Sequence, residues 1–104
     1  MSAPIVTVFR SRLRADAGPD FAAVAADLER RARAAPGFVD CKEFSASDGE
    51  RVAVIVFASR EAHDAWRDDP RHRDAQRRGL ADWYASFSGQ ACEQLTEHRF
   101  GDGA

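Results

Sequence analysis

The order in which the chain changes its apolar rhythm constrains its fold more than any other feature. Residues 5–13 favour a strand: Val6, Thr7, Val8 and Phe9 precede polar residues at Arg10 and Arg12. Asp16-Ala17-Gly18-Pro19-Asp20 breaks that segment. Pro19 suits the opening turn of a helix and Asp20 its positive end. Phe21, Val24, Leu28 and Ala32 then recur at helical spacing. Pro36-Gly37 ends this helix near residue 35. Residues 38–45 read as a second strand, and Ser47-Asp48-Gly49-Glu50 as a hairpin turn. Residues 51–58 form the most apolar strand, a pattern typical of a central strand covered on both faces. Ser59 suits the N-cap of a helix over 60–68, with Glu61 in its first turn. Pro70 interrupts, and a second helical piece is expected over 71–87, stopped by Ser88-Gly89. A last strand over 90–100 and a loose tail over 101–104 complete the reading.

The resulting order, β-α-β-β-α-β, predicts an α+β, ferredoxin-like domain over residues 4–100. Its four-stranded antiparallel sheet carries the helices on one face. The other face holds half of each strand's side chains and must meet something else. A chain of 104 residues buries little surface by itself, so stacking two such sheets in a homodimer is expected. In this topology the second and last strands lie at opposite edges. Cys41 and Cys92 are therefore expected as free, buried, reduced thiols rather than a bridge.

Acidic and basic residues nearly balance, with a formal net charge of −2. The arginines around Arg30, Arg31 and Arg33, and those over 71–78, alternate with Asp and Glu. They read as solvated helix faces, with no nucleic-acid footprint. The longest apolar run, 52–58, is too short to span a bilayer. With no leader-like segment before residue 5, a cytoplasmic location is expected.

Residues 62–87 hold both tryptophans, the single tyrosine and two of the three histidines. On a helix over 71–87, His72, Gln76, Trp83 and Phe87 share one face, with Tyr84 at its margin. An apolar stripe carrying a His and a Gln suits a pocket wall, although aromatic residues at this spacing also build cores. His63 reads as a surface residue. His98 alternates with Thr96 and Phe100 on the last strand and reads as structural or exposed. The chain has no His-Glu-x-x-His, phosphate loop, dinucleotide fingerprint, Gly-x-Ser-x-Gly elbow or zinc spacing.

The same segment carries a family resemblance. Pro36-Gly37-Phe38, Ala62-x-x-Ala65-Trp66-x-x-x-Pro70-x-His72, Ala75-Gln76-x-x-Gly79 and Trp83-Tyr84-Ala85-Ser86-Phe87, followed by a strand with Cys92, resemble the antibiotic biosynthesis monooxygenases. The resemblance spans about residues 5–100. It implies a dimeric α/β barrel with a pocket between sheet and helices in each subunit. It also implies oxidation of an anthrone, phenol or quinol-like aromatic by dioxygen as co-substrate, without metal, flavin or haem. On this resemblance His72 would transfer a proton or steady an anion. Trp66 would orient substrate and peroxide, Tyr84 would be a second donor, and Gln76 a polar anchor. Phe9, Phe57, Trp83 and Phe87 would be aromatic wall. Haem-degrading relatives place a ligating His where this chain has Gln76, and an Asn where it has Thr7, so haem chemistry is not expected. Relatives also carry an arginine where this chain has Leu80, which suits a flat aromatic ligand and weakens the case for an acidic one. An isomerase or cyclase, or a non-catalytic small-molecule binder, would suit the same scaffold.

Overall fold

A computed structural model describes residues 3–101. Its elements run β1 (Ile5–Leu13), α1 (Asp20–Ala34), β2 (Phe38–Ser45), β3 (Arg51–Phe57), α2 (Arg60–Arg67), α3 (Pro70–Arg78) and β4 (Tyr84–Glu93), with one π-helical turn at Gly79–Trp83. The sheet order is β2-β3-β1-β4 and every neighbouring pair is antiparallel. This is the ferredoxin-like arrangement.

Register divides the sheet into two unlike faces. Ile5 lies opposite Phe57, Thr7 opposite Ile55 and Phe9 opposite Ala53. These alternate residues share one face. Ile5, Ser11, Ile55 and Phe57 on it are buried, and the Phe57 ring stacks on Trp66 of α2 at 5.1 Å. The helices cover this face. The other face carries Val6, Val8, Val52, Val54 and Val56, only partly shielded, and Phe44, which is exposed. So β3 is central, as its composition predicts, but only one of its faces is covered within the chain.

The turns follow from local chemistry. Gly37 ends α1 with φ of 80° and sits so close to α2 that a Cβ there would meet the Ala62 Cβ at 2.5 Å. Ser59 Oγ accepts the Ala62 N–H at 3.1 Å, capping α2. Asp69 caps α3 by accepting the Arg71 N–H at 2.9 Å, with Pro70 beginning the helix.

Four expectations need correction. The helix expected over 71–87 stops at Arg78, and Tyr84 to Phe87 belong to β4. Trp83, Tyr84 and Phe87 fit a strand as well as a helix by residue type, and the π-helical turn reverses the chain onto β1. There Arg14 N–H donates to Trp83 O at 2.8 Å and Leu13 pairs with Tyr84. Gly89, expected as a stop, lies inside β4 opposite Phe9, whose ring approaches a would-be Cβ at 3.6 Å. The last strand ends at Glu93 because its partner β1 begins at Ile5. Residues 94–100 therefore have no ladder, His98 is on no strand, and Leu95 and Phe100 are exposed.

The third correction is His63, which is buried rather than superficial. It lies one turn before Trp66, its ring 5.9 Å from the indole, with Nδ1 2.8 Å from Asp64 Oδ1. The fourth is Cys92. Both thiols are free and on opposite edge strands, but Cys92 is exposed and Cys41 half-buried. No helix among the described residues is long and apolar enough to cross a membrane. Of the expected tail, residues 102–104 lie outside the described residues.

Candidate functional site

A cleft of about 740 Å³ opens between the C-terminal half of α1 and the α2–α3 pair. Leu28, Ala34, Ala62 and Ala65 give it apolar walls. Small residues leave the space, and the Gly37 turn sets the distance between the helices. Trp66 and His72 line one side, their ring centroids 4.5 Å apart. They come together because Pro70 breaks the helix between them. One unbroken helix would place residues six apart on different faces.

Trp66 is fixed from behind by Phe57, which Phe38 meets edge-on at 5.9 Å. His72 is held by the Arg67 carbonyl, 3.3 Å from its Nδ1. A carbonyl only accepts, so Nδ1 carries the proton and Nε2 is left with the lone pair. Burial pushes the His72 pKa below that of a free histidine, opposed by the Arg67 carbonyl. The imidazole is therefore neutral at pH 7 and able to accept a proton.

The other expected site residues lie elsewhere. Phe9, Tyr84 and Phe87 form an aromatic triangle with centroid separations of 5.6–5.7 Å. Phe21 of α1 joins it through Tyr84 at 6.0 Å and through Trp83 at 5.4 Å. Burial raises the Tyr84 pKa, which keeps its hydroxyl protonated. Trp83 is buried, and neither its Nε1 nor Thr7 Oγ1 has a hydrogen-bond partner. None of these residues lines the cleft. Gln76 is exposed on α3, outside it. The shared face expected for His72, Gln76, Trp83 and Phe87 does not exist, because the helix that would create it ends at Arg78.

Sequence reasoning missed Arg71, which also lines the cleft. Within its run of alternating charges nothing distinguished it from its neighbours. Asp68 illustrates those neighbours: hydrogen bonds from Arg67 and Arg73 hold its carboxyl down at about 2. Among the described residues, no three His, Cys, Asp or Glu side chains converge as metal ligands.

An antiparallel four-stranded sheet, with helices on one face and an aromatic–histidine cleft among them, defines an α+β domain of the ferredoxin-like kind. Residues 4–78 match the model of the antibiotic biosynthesis monooxygenases, and the chain belongs to that family. An uncharacterized protein of Bacillus subtilis, YqjZ, is 25% identical over 82% of this chain and 75% of its own. Among solved structures, Rv0793 of Mycobacterium tuberculosis superposes with a TM-score of 0.80 at 21% identity, covering 93% of this chain and all of that one. SnoaB of Streptomyces nogalater, described as a cofactor-independent oxygenase, gives a TM-score of 0.76 at 17% identity, covering 92% of this chain and 97% of its own. Both likenesses are of fold.

Proposed function

We propose that the chain is a cofactor-independent monooxygenase that oxidises a small electron-rich aromatic, of the anthrone, phenol or quinol type, with dioxygen in the α1–α2–α3 cleft. The observation that carries this reading is the pairing of His72, its Nδ1 held by the Arg67 carbonyl, with the Trp66 ring on one cleft wall. Membership of the family supports it.

In this reading the aromatic substrate lies against Trp66, and His72 Nε2 takes its phenolic or benzylic proton. The resulting anion gives one electron to dioxygen. The radical pair combines to a peroxide, and loss of water from an anthrone peroxide leaves the quinone. One dioxygen and one anthrone thus become one quinone and one water, so no external reductant is needed. The Trp66 indole N–H orients the anion and the peroxide. Phe9, Tyr84, Phe87 and Trp83 act at a distance, as the packing that joins α1 to the sheet. Haem is not assigned: Gln76, at the relatives' ligand position, is a poor iron ligand and faces away from the cleft.

The same reading includes a homodimer. Val6, Val8, Val52, Val54 and Val56 form a continuous apolar band on the uncovered sheet face, flanked by exposed Phe44. Two such faces stacked would withdraw both bands from water and make the barrel.

The test is oxygen uptake across a panel of anthrones, naphthols and hydroquinones, with wild type beside Trp66→Phe and His72→Ala. Uptake above the uncatalysed rate, falling about 100-fold or more in His72→Ala, is the expected result. Full turnover in His72→Ala would remove its role. Conversion of a bound ligand without oxygen consumption would point instead to an isomerase or cyclase, and binding without conversion to a non-catalytic binder.

A further inference from the structure

One arginine that lines the cleft, Arg71, stands apart from the others among the described residues. Every other arginine among the described residues pairs with a carboxylate. Arg71 shows no such partner among the described residues; Asp69 Oδ1 accepts its backbone N–H at 2.9 Å. In a chain where Asp and Glu outnumber Lys and Arg, seventeen to fifteen, an unanswered guanidinium is a distinct feature. It lies in the same cleft as Trp66 and His72, next to His72 in sequence.

Two carboxylates, Asp69 and Glu61, and a second arginine, Arg31, also line the cleft. Arg31 is paired with Asp27 at 2.8 Å. Asp69 accepts the Arg71 N–H as the cap of α3, and Glu61 already has a partner. A guanidinium presents a planar fork of donors that matches a carboxylate in two parallel hydrogen bonds. A flat ring against Trp66 and an acidic group on Arg71 would together use both features of the wall.

We propose that Arg71 is a specificity residue that selects aromatic ligands bearing a carboxylate. The inference rests on the reading of the cleft as the ligand site. Leu80 is 66% exposed and outside the cleft.

The test is calorimetric titration with naphthoate and its neutral isostere naphthamide, neither of which needs to be turned over. Wild type, Arg71→Gln and Arg77→Gln are compared. Arg77 is an exposed arginine of the same helix, paired with Asp74 and outside the cleft. Wild type should bind naphthoate about tenfold or more tightly than naphthamide, the scale of a charge-assisted hydrogen bond. Arg71→Gln should abolish that preference and leave naphthamide affinity unchanged. Arg77→Gln should retain the preference. Equal affinities in wild type, binding of neither compound, or equal losses in both variants would overturn the inference. Oxygen uptake with neutral anthrones but no naphthoate preference would overturn it while leaving the oxygenase reading intact. A preference lost in Arg71→Gln, with no uptake from any substrate, would uphold it and refute the oxygenase.

Discussion

Replacing Gly37 by Ala tests how the cleft is held open. Gly37 has φ of 80°, where an L side chain costs roughly 1–2 kcal/mol. Its Cβ would lie 2.5 Å from the Ala62 Cβ, on the first turn of α2. That neighbour is rigid, so the helix must shift, adding about 1–3 kcal/mol of overpacking. The expected loss is about 2–5 kcal/mol in urea unfolding followed by tryptophan fluorescence. Gly49 provides the comparison, because its φ is 91° but nothing lies within 4 Å of its would-be Cβ. Gly49→Ala should cost only the conformational part, about 1–2 kcal/mol. Adding Ala62→Gly to Gly37→Ala should return the packing part, less about 1 kcal/mol for a glycine in a helix. If Gly37→Ala proves no less stable than Gly49→Ala, the two helices are not in the contact described and the cleft geometry is wrong.

Phe57→Ala removes a fully buried ring that stacks on Trp66 and meets Phe38 edge-on, and should cost about 3–5 kcal/mol in the same assay. The His72 pKa is lowered in the folded state, so the unfolded chain binds more protons below the ordinary histidine value of 6.5. Wild type should therefore lose stability relative to His72→Gln as the pH falls below about 6.5 through the lower folded value. A difference between the two that does not change from pH 8 to pH 5 would contradict a half-buried His72 that is neutral in the folded state. On the uncovered sheet face, Val54 lies opposite Val8 and Lys42. Val54→Lys should turn a sedimenting dimer into a folded monomer, whereas a wild-type monomer at micromolar concentration would refute the barrel.

Much of this architecture can be read from short-range chemistry. The first strand, the Pro36-Gly37 stop, the Ser59 cap and the Pro70 break depend on residues whose conformational preferences are strong, and the structure places each as read. The end of the second helical region is different. Trp83, Tyr84 and Phe87 satisfy either period, and the decision belongs to Leu13 and Arg14, some seventy residues earlier, which pair with that segment. No local pattern reports such a partner. The same limit divided the candidate site. Trp66 and His72 are joined by a local break, although only the family resemblance singled them out together, whereas Tyr84, Phe9 and Phe87 gather through the sheet register. Arg71 was hidden for a third reason: its distinction is the lack of a partner, which only side-chain positions reveal.

Ligand bound on the Trp66–His72 wall would be sensed by one of the two tryptophans and not by the other. Indole N–H resonances can be followed by 15N-edited NMR during titration with an anthrone under anaerobic conditions, with Trp66→Phe assigning the pair. The Trp66 signal should shift saturably while that of buried Trp83 stays in place. A saturable shift at Trp83 with Trp66 unmoved would put the ligand between sheet and helices at the Phe9–Tyr84 cluster, and would contradict the site described.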